Sequence, residues 1–170
     1  VGTIINIFMW GIREQRRALA TQKLLDETSY VLEYMSRSIR MAIKDDIETK
    51  GVTKNCLSLE KSNFEVTTDA GGNQKIRFRN YKNECQEFFL ENYQLKEGKD
   101  NAAPLAMTSS AFKLNTLKFN LIGQDQQPTD DLQPRVTIFL DIKGAGQKPE
   151  EQPQIKIQTT ISQRNLDIQY

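Results

Sequence analysis

The chain predicts an α+β fold, with one long N-terminal helix laid on an antiparallel β-rich head. Three observations carry this. No proline occurs before Pro104, so nothing in the first fifty residues forbids a helix. Apolar residues there recur at steps of three and four, the helical period. Beyond Gly51 the period changes to two, with turn signals between short apolar runs. A run of helix followed by a run of hairpin-linked strands implies the antiparallel α+β class. The 170 residues suit one domain of ordinary size.

The first element opens with Val1–Ile12, VGTIINIFMWGI, in which Asn6 is the one strongly polar side chain. As helix it covers roughly 18 Å, short of the ~20 apolar residues that span a bilayer. A start on Val inside an apolar run is expected of a processed or truncated chain. A secretory signal is a poor fit, because no charged flank and no small-residue cleavage site frame the segment.

From Arg13 to about Ile43 the helix turns amphipathic. Leu24, Thr28, Val31, Leu32, Met35, Ile39, Ala42 and Ile43 form one stripe, with charged residues on the other faces. The helix is expected to run to about Lys44, roughly 65 Å, with Lys50-Gly51 as its stop. Leu24, Val31, Leu32, Met35 and Ile39 are expected to pack on the sheet. Residues 1–21 then protrude, and residues 22–170 form the head. A coiled-coil stalk ranks lower, since the stripe is not a sustained heptad with charged flanks.

Six or seven strands follow. Alternation predicts strands at Cys56–Glu60, Phe64–Thr68, Ile76–Arg79, Leu114–Ile122, Arg135–Ile142 and Ile155–Ser162, with a short apolar run at Glu87–Leu90. Tyr93 and Leu95 lie just beyond that run. Ala70–Asn73 reads as a turn, and Lys96–Ser110, Gly123–Pro134 and Gly144–Pro153 read as loops.

Composition excludes several chemistries. The chain has no histidine, which removes Ser-His-Asp and Cys-His sites and any His-containing zinc site. Its 23 basic and 22 acidic residues give a net charge of +1, so no global field draws nucleic acid. Cys56 and Cys85 are the only cysteines, too few for an all-cysteine zinc site and too far apart for a CxxC pair. Two buried thiols and one disulfide remain equal readings on these grounds. No cofactor is implied.

The protruding segment poses the functional question. A helix apolar all round needs burial in lipid or against other helices, and a head that begins beyond Arg17 cannot reach it. A membrane-anchor stub and a filament subunit both satisfy this demand.

An apolar helix start flows into QKLLDETSYVLEYMSRSIRMA (Gln22–Ala42), with an Arg-rich end, and the chain closes on IKIQTTISQRNLD (Ile155–Asp167). In these stretches and in whole-chain architecture it resembles type IV pilins and the related minor pilins and secretion pseudopilins. The resemblance implies the pilin-like fold, export to the cell surface with inner-membrane anchoring before assembly, and a Cys56–Cys85 disulfide in that oxidising setting. The family's cleavage and methylation motif, Gly followed by Phe-Thr-Leu-Ile-Glu, is absent and would lie before Val1. Its docking glutamate therefore maps to no residue of this chain. Arg13, Arg16 and Arg17 would, by the positive-inside bias, place the head in the cytoplasm; the resemblance places it outside.

On the resemblance, Ile4, Ile5, Asn6, Phe8, Met9, Trp10 and Ile12 would form the filament core. For Asn6, an interhelical hydrogen bond and an interfacial position stand equal. Trp10 fits a membrane–water boundary. Arg37 and Arg40 share a helix face and are candidates for intersubunit salt bridges; the small worth of exposed pairs, ~0–1 kcal/mol, favours a solvated face. Asp125, Asp130 and Asp131 are weighed as calcium ligands, but match no EF-hand spacing and read as a solvated loop. Asp45, Asp46 and Glu48 read as a solvated cluster where the helix frays.

The expected function is a structural subunit of a type IV pilus-like filament, not an enzyme. Its partners would be other copies of itself or other pilins, the inner-membrane assembly machinery, and inner-membrane lipid before assembly. The alternatives are a minor pseudopilin of a type II secretion system and a membrane-tethered binding domain that never polymerises. A carboxylate-based hydrolase ranks last, since no spacing singles out a catalytic pair.

Overall fold

The computed structural model describes residues 2–45, 56–58, 62–100, 102–123 and 132–164. Helix α1 runs Gly2–Arg40. Eight strands follow: β1 Phe64–Thr68, β2 Gln74–Arg79, β3 Cys85–Glu91, β4 Gln94–Lys99, β5 Leu105–Ala106, β6 Phe112–Ile122, β7 Arg135–Gly144 and β8 Gln154–Ser162, with a 3₁₀ turn at Pro149–Glu151. They form two antiparallel sheets, a five-stranded meander β1-β2-β3-β4-β5 and a three-stranded meander β6-β7-β8.

The helix divides by environment. From Thr3 to Lys23 its side chains are exposed, apart from half-buried Ile12, Ala20 and Thr21. Leu24 is fully buried, and from there the stripe closes on the head. Leu24, Thr28, Val31, Met35, Ile39 and Ala42 are all buried, and Leu32 is half-buried against the same core. Both sheets share this core: Ile76, Phe78, Phe88 and Leu95 from the first, Leu114, Leu117, Val136, Ile138 and Leu140 from the second. β6 alternates buried and exposed residues as the pleat requires, changing phase at the register shift between Leu114 and Thr116. Tyr34 meets Phe88 edge-on, with ring centroids 6.2 Å apart. Glu27 accepts hydrogen bonds from both the backbone N–H and the hydroxyl of Ser109. Helix and meander are therefore joined by packing and by polar contacts.

Several elements depart from the sequence reading. The helix ends at Arg40, before Lys44 and well before Lys50-Gly51. Tertiary hydrogen bonds stop it. The Arg40 carbonyl accepts from the Arg164 N–H, and the Ala42 carbonyl from the Gln163 side chain. The Ile43 N–H donates to the Arg79 carbonyl, pairing the exit with β2. These partners satisfy terminal carbonyls that a glycine cap would otherwise serve.

The loop expected over Lys96–Ser110 contains most of β4 and all of β5. Lysines and a glutamate masked the alternation: Leu95 and Glu97 face inward, Lys96 outward. Gly98 belongs in that strand because the Glu87 side chain lies across it. A Cβ there would stand 2.9 Å from Glu87 Cγ. Of the strand expected at Cys56–Glu60, Cys56–Ser58 is a bend, and the rest lies outside the described residues.

Asp45 is the largest correction. It is fully buried, not solvated. Its carboxylate receives the Arg79 guanidinium, with Nε 2.6 Å from Oδ1, and accepts the N–H groups of Cys56 and Leu57 on Oδ2 at 2.8 and 2.7 Å. Arg79 also donates to the Asn83 carbonyl. A buried carboxylate is tolerable only with such a full set of donors. The Cys56–Cys85 disulfide lies beside this pair, since Cys85 is the register partner of Arg79. Closing a loop with a sequence separation of 29 stabilises a chain by about 3–4 kcal/mol on the chain-entropy account. Asp46 and Glu48 lie outside the described residues.

Two outcomes follow from this packing. Asp45→Ala strands the buried Arg79 charge and should destabilise the head by about 3–5 kcal/mol in urea titrations; a loss under about 1 kcal/mol would return Asp45 to a solvated surface role. A fragment from Gln22 to Tyr170 should sediment as a soluble monomer, because its own sheets cover the Leu24–Ile39 stripe. Obligate oligomers would show that this stripe is shared with other subunits.

Candidate functional site

The helical arm before Leu24 is the chain's most unusual surface. At 1.5 Å per residue it extends roughly 33 Å. Ile4 is 72%, Ile7 70%, Phe8 68% and Trp10 65% exposed, and Ile5 and Met9 are also open. Single exposed apolar residues are ordinary; a contiguous band of them marks a contact surface. Asn6 is exposed within the band, and Ile12 half-buried at its end. All seven residues assigned to a filament core therefore share one arm, spread around its circumference.

No helix among the described residues is long and apolar enough to cross a membrane. Gly11 adds a second peculiarity. A Cβ built there would meet nothing within 4 Å, yet glycine in a helix interior costs about 1 kcal/mol relative to alanine. Nothing among the described residues packs against it.

Arg37 and Arg40 both lie in the last helical turn, where positive charge complements the helix dipole. Arg37 pairs with Glu33 one turn earlier, both side chains being largely exposed. Arg40 is exposed, and its carbonyl accepts from the Arg164 N–H just after β8.

A polar cluster absent from the sequence reading lies under the helix. The Tyr34 hydroxyl donates to Glu97 at 2.7 Å and accepts from Lys99 at 3.2 Å. Gln86 donates to the same Glu97 carboxylate. Burial, then the Glu97 hydrogen bond, pushes the Tyr34 phenol above its ordinary value. Burial works against the Lys99 ammonium, but its bonds to Tyr34 and Glu97 outweigh this and raise its pKa. No sequence signal pointed here, since the partners are more than sixty residues apart. The cluster fixes the helix on β3 and β4.

Beside it is an open cleft of about 350 Å³ between the helix and the β2–β3 turn, lined by Tyr34, Arg37, Met41, Tyr81, Lys82 and Lys99. Its cations are engaged: Arg37 with Glu33, Lys99 with Glu97, and Lys82 over the Tyr81 ring. Among the described residues no three His, Cys, Asp or Glu side chains gather in a way that could hold a metal ion. Asp125, Asp130 and Asp131 lie outside them. Compared with protein-family models, with curated proteins and with solved structures, the chain finds no match.

Proposed function

We propose that the chain is a structural, non-catalytic subunit of a type IV pilus-like filament, anchored in the inner membrane before assembly and displayed at the cell surface afterwards. One observation carries the reading: the arm exposes a contiguous apolar band while the head closes its own core. Fully burying one large aliphatic or aromatic side chain is favourable by about 1.5–3 kcal/mol. Ile4, Ile5, Ile7, Phe8, Met9, Trp10 and Ile12 together give a strong drive toward lipid or toward other helices.

Copies stacked along an axis would each bury this band against the displaced arms of their neighbours. Such a contact is heterologous and propagates as an open helix. Gly11 fits this packing, because small residues let helix backbones approach closely, and no described residue packs against it to offset its cost. The disulfide fits an exported head. The partners are then other copies or related pilins, with the assembly machinery acting on the anchored form.

The experiment replaces Ile5→Asp and Phe8→Lys separately in the producing cell. Filaments seen by electron microscopy should disappear in both, while circular dichroism of the purified variants keeps the wild-type head signal. Normal filaments from both variants would eliminate a bundled helical core and leave a tethered, non-polymerising domain.

A further inference from the structure

We propose that Arg13, Arg16 and Arg17 form a binding surface for anionic phospholipid headgroups, which sets the depth of the arm in the membrane before assembly; this rests on the anchored state of the preceding reading. On a helix, positions 13, 16 and 17 share one face within an arc of about 100°. All three side chains are exposed. Among the described residues none of them belongs to an ion pair. Glu14 is the only acidic residue before Asp26, and it stands against Arg13, Arg16, Arg17 and Lys23. The arm thus carries a net positive charge of three, whereas the rest of the chain has more acidic than basic residues.

Position along the helix selects the ligand. The apolar band ends at Ile12, and Arg13 follows it directly. From Ile12 to Arg17 the rise is about 7.5 Å. That matches the depth of one headgroup layer, about 5–7.5 Å when a ~30 Å hydrocarbon core is compared with the ~40–45 Å full bilayer. Trp10 lies on the same side, about one turn before Arg13 and two turns before Arg17, at the depth where indole rings concentrate. With the band in hydrocarbon, the three guanidinium groups fall level with phosphates, which they bind as forked donors. Lys23 lies about 16 Å above Ile12, beyond that layer.

The disulfide sharpens the case. It suits an oxidising compartment, and basic residues directly after an apolar segment oppose transfer of that flank across the membrane. Three unpaired arginines on the exported side therefore carry a cost that a merely solvated face would not explain. Headgroup binding supplies the offsetting gain.

The test mixes the full chain, diluted from detergent, with vesicles of phosphatidylcholine alone or of phosphatidylcholine containing phosphatidylglycerol, and measures partition by flotation. At about 1 kcal/mol per basic residue near an anionic surface, wild type should favour the anionic vesicles by about a hundredfold. The triple variant Arg13→Gln, Arg16→Gln, Arg17→Gln should lose that preference while still binding neutral vesicles through its apolar band. Arg→Lys at all three positions should keep most of it, and added salt should erode it. Equal partition of wild type onto both vesicles overturns the inference, as does a Gln variant that retains the preference. A Gln variant that loses filaments although wild type shows no lipid preference would assign the arginines to contacts between copies, and also overturns it. None of these results depends on the Ile5→Asp and Phe8→Lys filament assay, so the two readings fail separately.

Discussion

One constraint governs the molecule: a single unbroken helix has an intramolecular partner for only its second half. Breaking α1 to fold the arm back would sacrifice consecutive main-chain hydrogen bonds. No proline offers a hinge, and Gly11 lies too far from the head to help. Full burial begins at Leu24, after half-buried Ala20 and Thr21. Everything C-terminal to it obeys the ordinary demands of a closed core, and everything before it has to find an environment elsewhere.

The head holds its half of the helix firmly. It does so at both ends of the contact. Near the arm, Glu27 reaches the turn at Ser109. At the far end the strands' own termini cap the helix, through Arg164 on Arg40 and Gln163 on Ala42. Between them, Tyr34 is clamped by Glu97 and Lys99 over the Phe88 ring. The exit beyond the helix is secured by the buried Asp45–Arg79 pair and by the disulfide that follows it. Removing either partner of such a pair would leave an uncompensated buried charge, so its value lies in specificity of placement more than in net energy.

What the sequence made legible follows the reach of each signal. Periodicity is a local property, so the helix, its stripe from Leu24 to Ile39 and the strands β1, β2, β6, β7 and β8 could be read directly. β4 was missed because Lys96, Glu97 and Lys99 surround a single inward leucine, and a charged Glu97 can be buried only when Tyr34, Gln86 and Lys99 surround it; β5 was missed because its two residues, both exposed, are too few to show a period. The helix end was misplaced because its stop is tertiary: residues at 163 and 164 supply the caps. Asp45 was misread for the same reason. Its four donors lie on Arg79, Cys56 and Leu57, and no window around Asp45 contains them. The disulfide was undecided on spacing alone: the β2–β3 register sets Cys85 opposite Arg79, and the Asp45 carboxylate that binds Arg79 also holds the Cys56 N–H.

The exposed arm was legible for the opposite reason. Its character comes from the lack of anything to pack on, which an apolar run at one end of a rigid helix already implies. The same logic orders its surface by depth. Apolar side chains occupy every face up to Ile12, then Arg13, Arg16 and Arg17 take over within little more than a turn. A helix selected only to be soluble would spread its charge along its length, and one selected only to bundle would have no reason to place unpaired guanidinium groups against the end of its apolar band. A sharp apolar-to-cationic boundary, on a face that also bears Trp10, matches a medium that itself changes sharply from hydrocarbon to phosphate. In a filament of the kind proposed above, the same boundary would separate the helical core from the shell of heads, so one arrangement of residues would serve both proposed environments.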